Sequence, residues 1–542
     1  MTYGASSDGP ALPHGWVSGS LAEIAQMNPP RDPRAFSDST QVNFVPMRAV
    51  DTEGKGVIGP ETRAYGDVKK GYTSFLSGDV IMAKITPCME NGKTAVVPEL
   101  PGSVCFGSTE FHVVRPAPGV IPNWIANFLL QDEVRRAAQR AMTGAVGQMR
   151  VPASFLETIS IPIAPADEQR RITDALDELT SDLDAGVAAL ERVRSKLTQY
   201  RASLLKTAVD GTLSAEWRQK HPPTEPGTQL LKRILDERRR LWEKQQLRKF
   251  REKGQELPKN WTVMYKEPIA PDTASLPPLP QGWCWSTLDQ LADIAGGVTK
   301  GQKFSPNDET RLVPYLRVAN VQRGYLDLSQ IKNIRATEED IEALTLRLGD
   351  VLFTEGGDRD KLGRGWIWEG KLPECVHQNH VFRARLVPGV VQPKLVSWCG
   401  NSYGRRWFMR VGKQSVNLAS INRTNLRSFP VALAPVAEQE VIVESVEDHI
   451  SIIDHLETDI AAKLKSAQRL RQAVLRHAFS GQLVPQDPSD EPASELLSRI
   501  GADREERSRE AAAAKRTAKQ ATKSRPSAQS CAAKRPAATR GH

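Results

Sequence analysis

Between positions 172 and 204 apolar residues recur at alternating steps of four and three: Ile172, Leu176, Leu179, Leu183, then Gly186, then Leu190, Val193, Leu197, Tyr200 and Leu204. This is a heptad a/d seam, and Gly186 is its one flaw. The seam returns 270 positions on as Ile442, Val446, His449, Ile453, Leu456, Ile460, Lys463, Ala467, Leu470 and Val474, with His449 and Lys463 as polar interruptions. Each pattern predicts a helix of about 40 residues, roughly 60 Å long. Asp167 and Glu168 suit a helix start and Gly211 a helix stop. Elsewhere the pattern is different. Val42–Pro46, Gly78–Ile85 and Phe111–Val114 are short apolar runs bounded by turn residues, which predicts strands. Trp124 to Met142 carries one apolar face, through Trp124, Phe128, Leu129, Val134 and Ala138, and predicts a single helix.

The rest of the chain is duplicated as well. Leu12-Pro13-His14-Gly15-Trp16 returns as Leu279-Pro280-Gln281-Gly282-Trp283, Pro165…Glu168-Gln169 as Pro435…Glu438-Gln439, and Ala208…Gly211…Leu213 as Ala478…Gly481…Leu483. Val45–Val50 aligns with Val313–Val318, and Gly78–Met82 with Gly349–Phe353. Between these anchors the loops diverge: KITPCMENGK from Lys84 stands against TEGGDRDKLG from Thr354. The expected fold is α+β. Two similar mixed α/β domains are separated by two long helices that pair as an intramolecular antiparallel coiled coil, a pseudo-twofold internal repeat. The expected boundaries are 1–164 (first head), 165–222 (first long helix), 223–278 (charged helix and Pro-rich linker), 279–434 (second head), 435–485 (second long helix) and 486–542 (tail). The charged helix, Thr228 to Gly254, reads either as solvated or as a contact to DNA phosphate or a partner subunit. Its start is echoed by Glu491–Leu497, and from Gly501 onward the Ala/Lys/Arg/Ser-rich chain is expected to be disordered, a nonspecific nucleic-acid arm.

Composition narrows the partners. The 542 residues carry a net charge of +9 and a pI of about 9.2, which favours an anionic partner. Six cysteines without CxxC spacing argue against a zinc site or a disulfide framework and fit a cytoplasmic protein. Met1 to Pro13 shows no basic region or apolar core, so no signal peptide is expected, and no apolar run is long enough to span a membrane.

Catalytic signatures fail one after another. Asn28-Pro29-Pro30-Arg31 approaches the NPP[YF] tetrad of amino-methyltransferases, but Arg31 lacks the ring that stacks a flipped base. The companion FxGxG loop is missing as well, since Phe479–Leu483 lacks the final glycine. Gly92-Lys93-Thr94 ends like a P-loop, yet Pro87 stands where the motif needs its first glycine. Glu369-Gly370-Lys371 has nuclease-like spacing without an upstream aspartate, and the histidines form no HxxxH or HExxH pair. The reading is a non-catalytic binding subunit.

Two divergent heads, each followed by a long helix that opens Pro…Glu-Gln…Ile (Pro165, Glu168-Gln169, Ile172; Pro435, Glu438-Gln439, Ile442), resemble the specificity subunit of type I restriction–modification enzymes. The Ala-x-x-Gly-x-Leu helix ends and the Leu-Pro-x-Gly-Trp head openings are similar too. Ala83–Lys93, Gly107–Val113 and Gly144–Pro152 resemble one type of target-recognition domain. The resemblance covers about Leu12 to Ile500. It implies that each head reads half of a split double-stranded DNA target and that the coiled coil sets the spacer. It also implies two methyltransferase subunits and two restriction–translocase subunits as partners. S-adenosylmethionine, ATP and magnesium are then held by those partners, and this chain holds no cofactor.

Base reading needs Arg or Lys for guanine and Asn or Gln for adenine, with Lys, Arg, Ser and Thr on phosphates. In the first head this selects Lys84, Thr86, Glu90, Asn91, Lys93, Thr109, Gln148 and Arg150. In the second it selects Lys300, Gln302, Arg317, Asn320, Arg359, Lys361, Arg364, Gln378, Asn379, Gln414 and Asn417. Any one of them can equally be a fold-keeping turn residue, Asn91-Gly92 above all. The competing readings are a coiled-coil scaffold that binds DNA without sequence preference and a stand-alone methyltransferase or nuclease.

Overall fold

The computed structural model describes residues 12–523, apart from 32–35, 53–55, 101–103, 146, 253, 255, 257, 307 and 415–418. The chain forms two compact units. One takes the residues up to Ala189 and those from Ala462 on; the other is Leu190–Ala461. Both boundaries cut the long helices, Ala166–Val209 and Val436–Phe479, each of 44 residues. Each unit therefore holds one head, the first half of its own long helix and the second half of the other. Both helices stop at a glycine in the left-handed region, Gly211 (φ 76°) and Gly481 (φ 69°), where a Cβ would be strained.

In the first unit the helix start (Ile172, Leu176) and the other helix's end (Leu475, Ala478, Phe479) share one core with Trp16, Trp124 and Ile163. A start beside an end makes the pair antiparallel, and Arg471 meets Asp184 along it. The second unit repeats this with Ile442 and Val446 against Leu204 and Ala208, and Arg201 meets Asp454 and Glu457. The seam is dry only in places. Ile172, Leu176, Ile442, Val446, Ile453 and Ile460 are buried, and Leu183, Leu190 and Leu197 are half-buried. Leu179, Leu456 and Leu470 stay exposed, because a single partner helix cannot enclose a seam as a head does.

The heads share the topology of their main sheet. The first has a four-stranded antiparallel sheet ordered Ala25–Met27, Phe111–Pro116, Val80–Ala83, Thr94–Val96; the second orders Ala292–Ala295, Val381–Leu386, Val351–Thr354, Gly365–Ile367 in the same way. A second sheet in each contains one parallel pair, Gln41–Val45 with Val104–Gly107 and Thr310–Leu316 with Val376–His377. The turn before the central strand is pinned identically. Buried Asp79 takes two hydrogen bonds from Arg115 (2.8 and 2.7 Å), and buried Asp350 takes two from Arg385 (2.8 and 2.7 Å).

Four sequence expectations change. Trp124–Met142 is two helices, Pro122–Leu129 and Asp132–Ala141. Gln472 from the second long helix enters the break, accepting from the Asp132 N–H (2.8 Å) and donating to the Leu130 carbonyl (3.3 Å). The prolines of Val45–Val50 and Val313–Val318 are not equivalent. Pro46 precedes the 3₁₀ turn Met47–Ala49, whereas Pro314 lies inside a strand, and the matching turn is Val318–Asn320. The chain beyond Gly501 is not disordered through Lys523, because a helix spans Ala493–Lys523. Alanine, lysine, arginine and glutamate are strong helix formers even without an apolar stripe. The charged helix, Gly227–Glu252, is not solvated all round, since Leu230 and Ile234 are buried in the second head's core.

These last two helices are equivalents. Gly227 N–H donates to the Gly282 carbonyl (2.6 Å), as Ala493 N–H does to Gly15 (2.8 Å). Arg238 donates to the carbonyls of Asp289 and Ala292, as Arg504 does to those of Ala22 and Ala25. Each docking helix follows one long helix and packs on the head of the other repeat. Among the described residues, no helix is long and apolar enough to cross a membrane.

Candidate nucleic-acid interface

The Glu-Gln signature holds each long helix to its head. Glu168 accepts from the Trp16 indole (2.9 Å) and Glu438 from the Trp283 indole (2.9 Å). Burial raises the pKa of Glu168, against the hydrogen bonds from Trp16 and Gln486. Gln169 donates to Ala164 (2.8 Å) and accepts from Ile121 (3.3 Å); Gln439 donates to Ala434 (2.8 Å) and accepts from Gln392 (2.8 Å). Loops leaving the sheets are thus placed from a rigid base.

Three of those loops cross at one junction in each head. In the first, Lys84 N–H donates to the Glu110 carbonyl (2.9 Å), and Val151 N–H donates to the Lys84 carbonyl (2.9 Å). In the second, Glu355 N–H donates to the His380 carbonyl (2.9 Å), and Ile421 N–H donates to the Glu355 carbonyl (2.8 Å). The backbone crossing is the same and its side chains are not. Glu110 takes two hydrogen bonds from Arg150 (2.9 and 2.8 Å), which lowers its pKa; in the second head, Glu355 meets the His380 ring (2.5 Å). The duplication alone could have exposed Glu110, Glu355 and His380, because each sits at a matched position in a divergent loop.

The junction sorts the first head's candidates. Asn91, Thr109 and Gln148 are exposed around it, and Lys84 is half-buried. Thr86 donates to Glu90 (2.6 Å), and Arg150 is held by Glu110, so these side chains are engaged with the loops themselves. Lys93 donates to the carbonyls of Met47 (3.0 Å) and Val50 (2.7 Å), around the 3₁₀ turn. Its equivalent, Arg364, donates to Val318 (3.1 Å) at the matching turn. These two cations are structural. Asn28 is another structural residue: at φ 43° it accepts from Val113 N–H (3.0 Å), so the NPP stretch opens on a bend at the end of a strand.

In the second head Lys300, Gln302 and Arg359 are exposed, and Lys361 pairs with Asp358. Asn320 is buried and caps its own turn, donating to the carbonyls of Asp327 (2.8 Å) and Gln330 (3.2 Å). Arg317 donates to Gln330 (2.9 Å). Gln378 and Asn379 are half-buried in the turn that pairs with Val298, and the Asn379 side-chain oxygen is buried without a partner. Gln414 lies on the short strand Lys413–Gln414, which, through Ala419–Ser420, joins the loop strand Gly356–Gly357. Asn417 lies outside the described residues. Sequence reasoning missed Arg323, which ties the Asn401 carbonyl (3.2 Å) to that of Asp360 (3.0 Å) and so positions the turn bearing Arg359. Burial and the neighbouring Arg405 and Arg364 lower its pKa.

Residues 13–191 match the family model of the type I restriction modification DNA specificity domain. Over 505 residues the chain is 27% identical to the type I restriction enzyme EcoEI specificity subunit of Escherichia coli, covering 84% of this chain and 81% of that one. It is 26% identical over 519 residues to the EcoAI specificity subunit of the same species, covering 86% and 83%. A solved chain from work on complex assembly and conformational transition of the type I R-M system superposes with a TM-score of 0.57 at 17% identity, covering 87% of this chain and 99% of that one. That last likeness is one of fold.

Proposed function

We propose that this chain, which stands with the type I restriction–modification specificity subunits in sequence and fold, reads a bipartite DNA target and directs partner subunits to it. The carrying observation is the loop junction. One backbone crossing recurs in both heads with different side chains, which is what two readers of different half-sites require. The two 44-residue helices support a ruler role between the readers. Two methyltransferase subunits use S-adenosylmethionine to methylate adenine, and two restriction–translocase subunits use ATP and magnesium, all in the cytoplasm. This chain itself carries out no chemistry.

The test replaces the second head, 279–434, with that of a relative and maps methylated bases in the genome. One half of the methylated sequence changes and the other persists. A change in both halves, or in neither, overturns the reading. Equal, salt-sensitive affinity of the original chain for all duplexes would instead favour the nonspecific scaffold.

A further inference from the structure

Within the first unit an open cleft of about 650 Å³ lies between the first head and the end of the second long helix. Lys465, Arg469, Gln472 and Arg476 line it at steps of four, three and four, so they form one stripe on one helix face. Gln472 fixes where that stripe points, because it is hydrogen-bonded to the first head at Asp132 and Leu130. Lys465, Arg469 and Arg476 are exposed, and no carboxylate pairs with them among the described residues. Arg136 joins from the head, 69% exposed though paired with Asp132 at 3.6 Å. The carboxylates of the cleft are placed otherwise. Asp132 is taken up by Arg135 and Arg136, while Glu90 and Asp177 keep their charge and accept from Thr86 and Asn123 (3.4 Å), so the cations lining the cleft outnumber its carboxylates. Exposed Asn91 of the reading loop stands at the same cleft.

We infer that this stripe is a phosphate track, which holds the backbone of duplex DNA beside the half-site read by the first head. A cleft with unpaired cations along one wall and a reading loop on the other suits a polyanion that passes from one to the other. From Lys465 to Arg476 the stripe runs about 16 Å, the rise of about five base pairs. The track is one-sided. The positions 270 earlier are Ser195, Gln199, Ala202 and Lys206, so the second unit keeps one cation of three. The inference rests on the DNA-binding reading above but not on sequence discrimination.

The experiment uses the full-length chain and a mixed-sequence duplex, with affinity measured between about 50 and 200 mM salt. The triple variant K465A/R469A/R476A lowers the slope of log K against log salt by close to three, at about 0.9 per lost phosphate contact. The charge-keeping variant K465R/R469K/R476K retains the slope. Removing three exposed cations of the first long helix, Arg192, Arg194 and Lys196, leaves it nearly unchanged. An unaltered slope in the alanine variant overturns the track, and so does an equal fall in the control, which would reflect net charge alone. Any preference for target over nontarget duplex is unchanged in the alanine variant. Absence of such preference in the original chain would defeat the bipartite reading while leaving the slope test intact.

Discussion

Lys93 and Arg364 occupy matched positions and spend their charge on matched carbonyls. Lys93→Met therefore destabilises the first head by roughly 1–3 kcal/mol, since two partly buried carbonyls lose their donor. If the first head reads a half-site as proposed, Gln148→Ala leaves the denaturation midpoint in place and changes only which bases that half-site accepts. Chemical denaturation and methylome mapping separate the two. His377 makes a pH prediction. Its ring is fully buried, one nitrogen bonded to the Val381 carbonyl (2.6 Å), the other without a partner, and burial lowers its pKa to about 4 from 6.5. Below pH 6.5 the unfolded chain takes up the proton and the folded one does not. Stability is thus complete above pH 6.5 and falls as pH drops toward 4, by roughly 3 kcal/mol in all. His377→Gln flattens that part of the curve; an equally steep loss in the variant would reject the assignment.

At the scale of elements, the docking helices matter most. Gly227 touches the head so closely that a Cβ would sit 2.7 Å from the Leu433 carbonyl oxygen and 3.1 Å from the Cys284 nitrogen. Gly227→Ala costs roughly 1–3 kcal/mol through that overlap, although its equivalent at 493 is already alanine. Urea denaturation of the full chain, followed at the second head, checks the value. The start of this helix was legible because Glu225–Leu231 is echoed by Glu491–Leu497. Its docking was not, because Leu230, Leu231, Ile234 and Leu235 are followed by the charged run Asp236–Arg240, and nothing in the pattern says which head they enter. The break at Leu130–Gln131 was equally illegible, since the group that stabilises it, Gln472, lies over 300 positions away.

At the scale of the molecule, each unit is closed by segments from both repeats. One long helix begins in a unit where the other ends, and the docking helix of one repeat completes the head of the other. If the helices are the ruler, inserting one heptad into both changes the spacer between the methylated half-sites and leaves the half-sites themselves alone. An unchanged spacer in the methylome rejects that role. Inserting the heptad into one helix only misaligns the antiparallel pair and lowers stability, because the matched knobs and holes beyond the insertion no longer meet.

The sequence by itself determined the duplication, the two long helices and their seams, the strand-rich heads and the divergent loops. All of these are periodic or repeated, and a period survives in one dimension. Tertiary structure decided which loops cross, which of the candidate cations are spent on carbonyls, and which face of the second helix is turned toward the first head. Those are questions of distance between residues far apart in the chain. Arg and Lys look the same in a string whether they hold a backbone turn or await a phosphate; only the position of the nearest acceptor separates them.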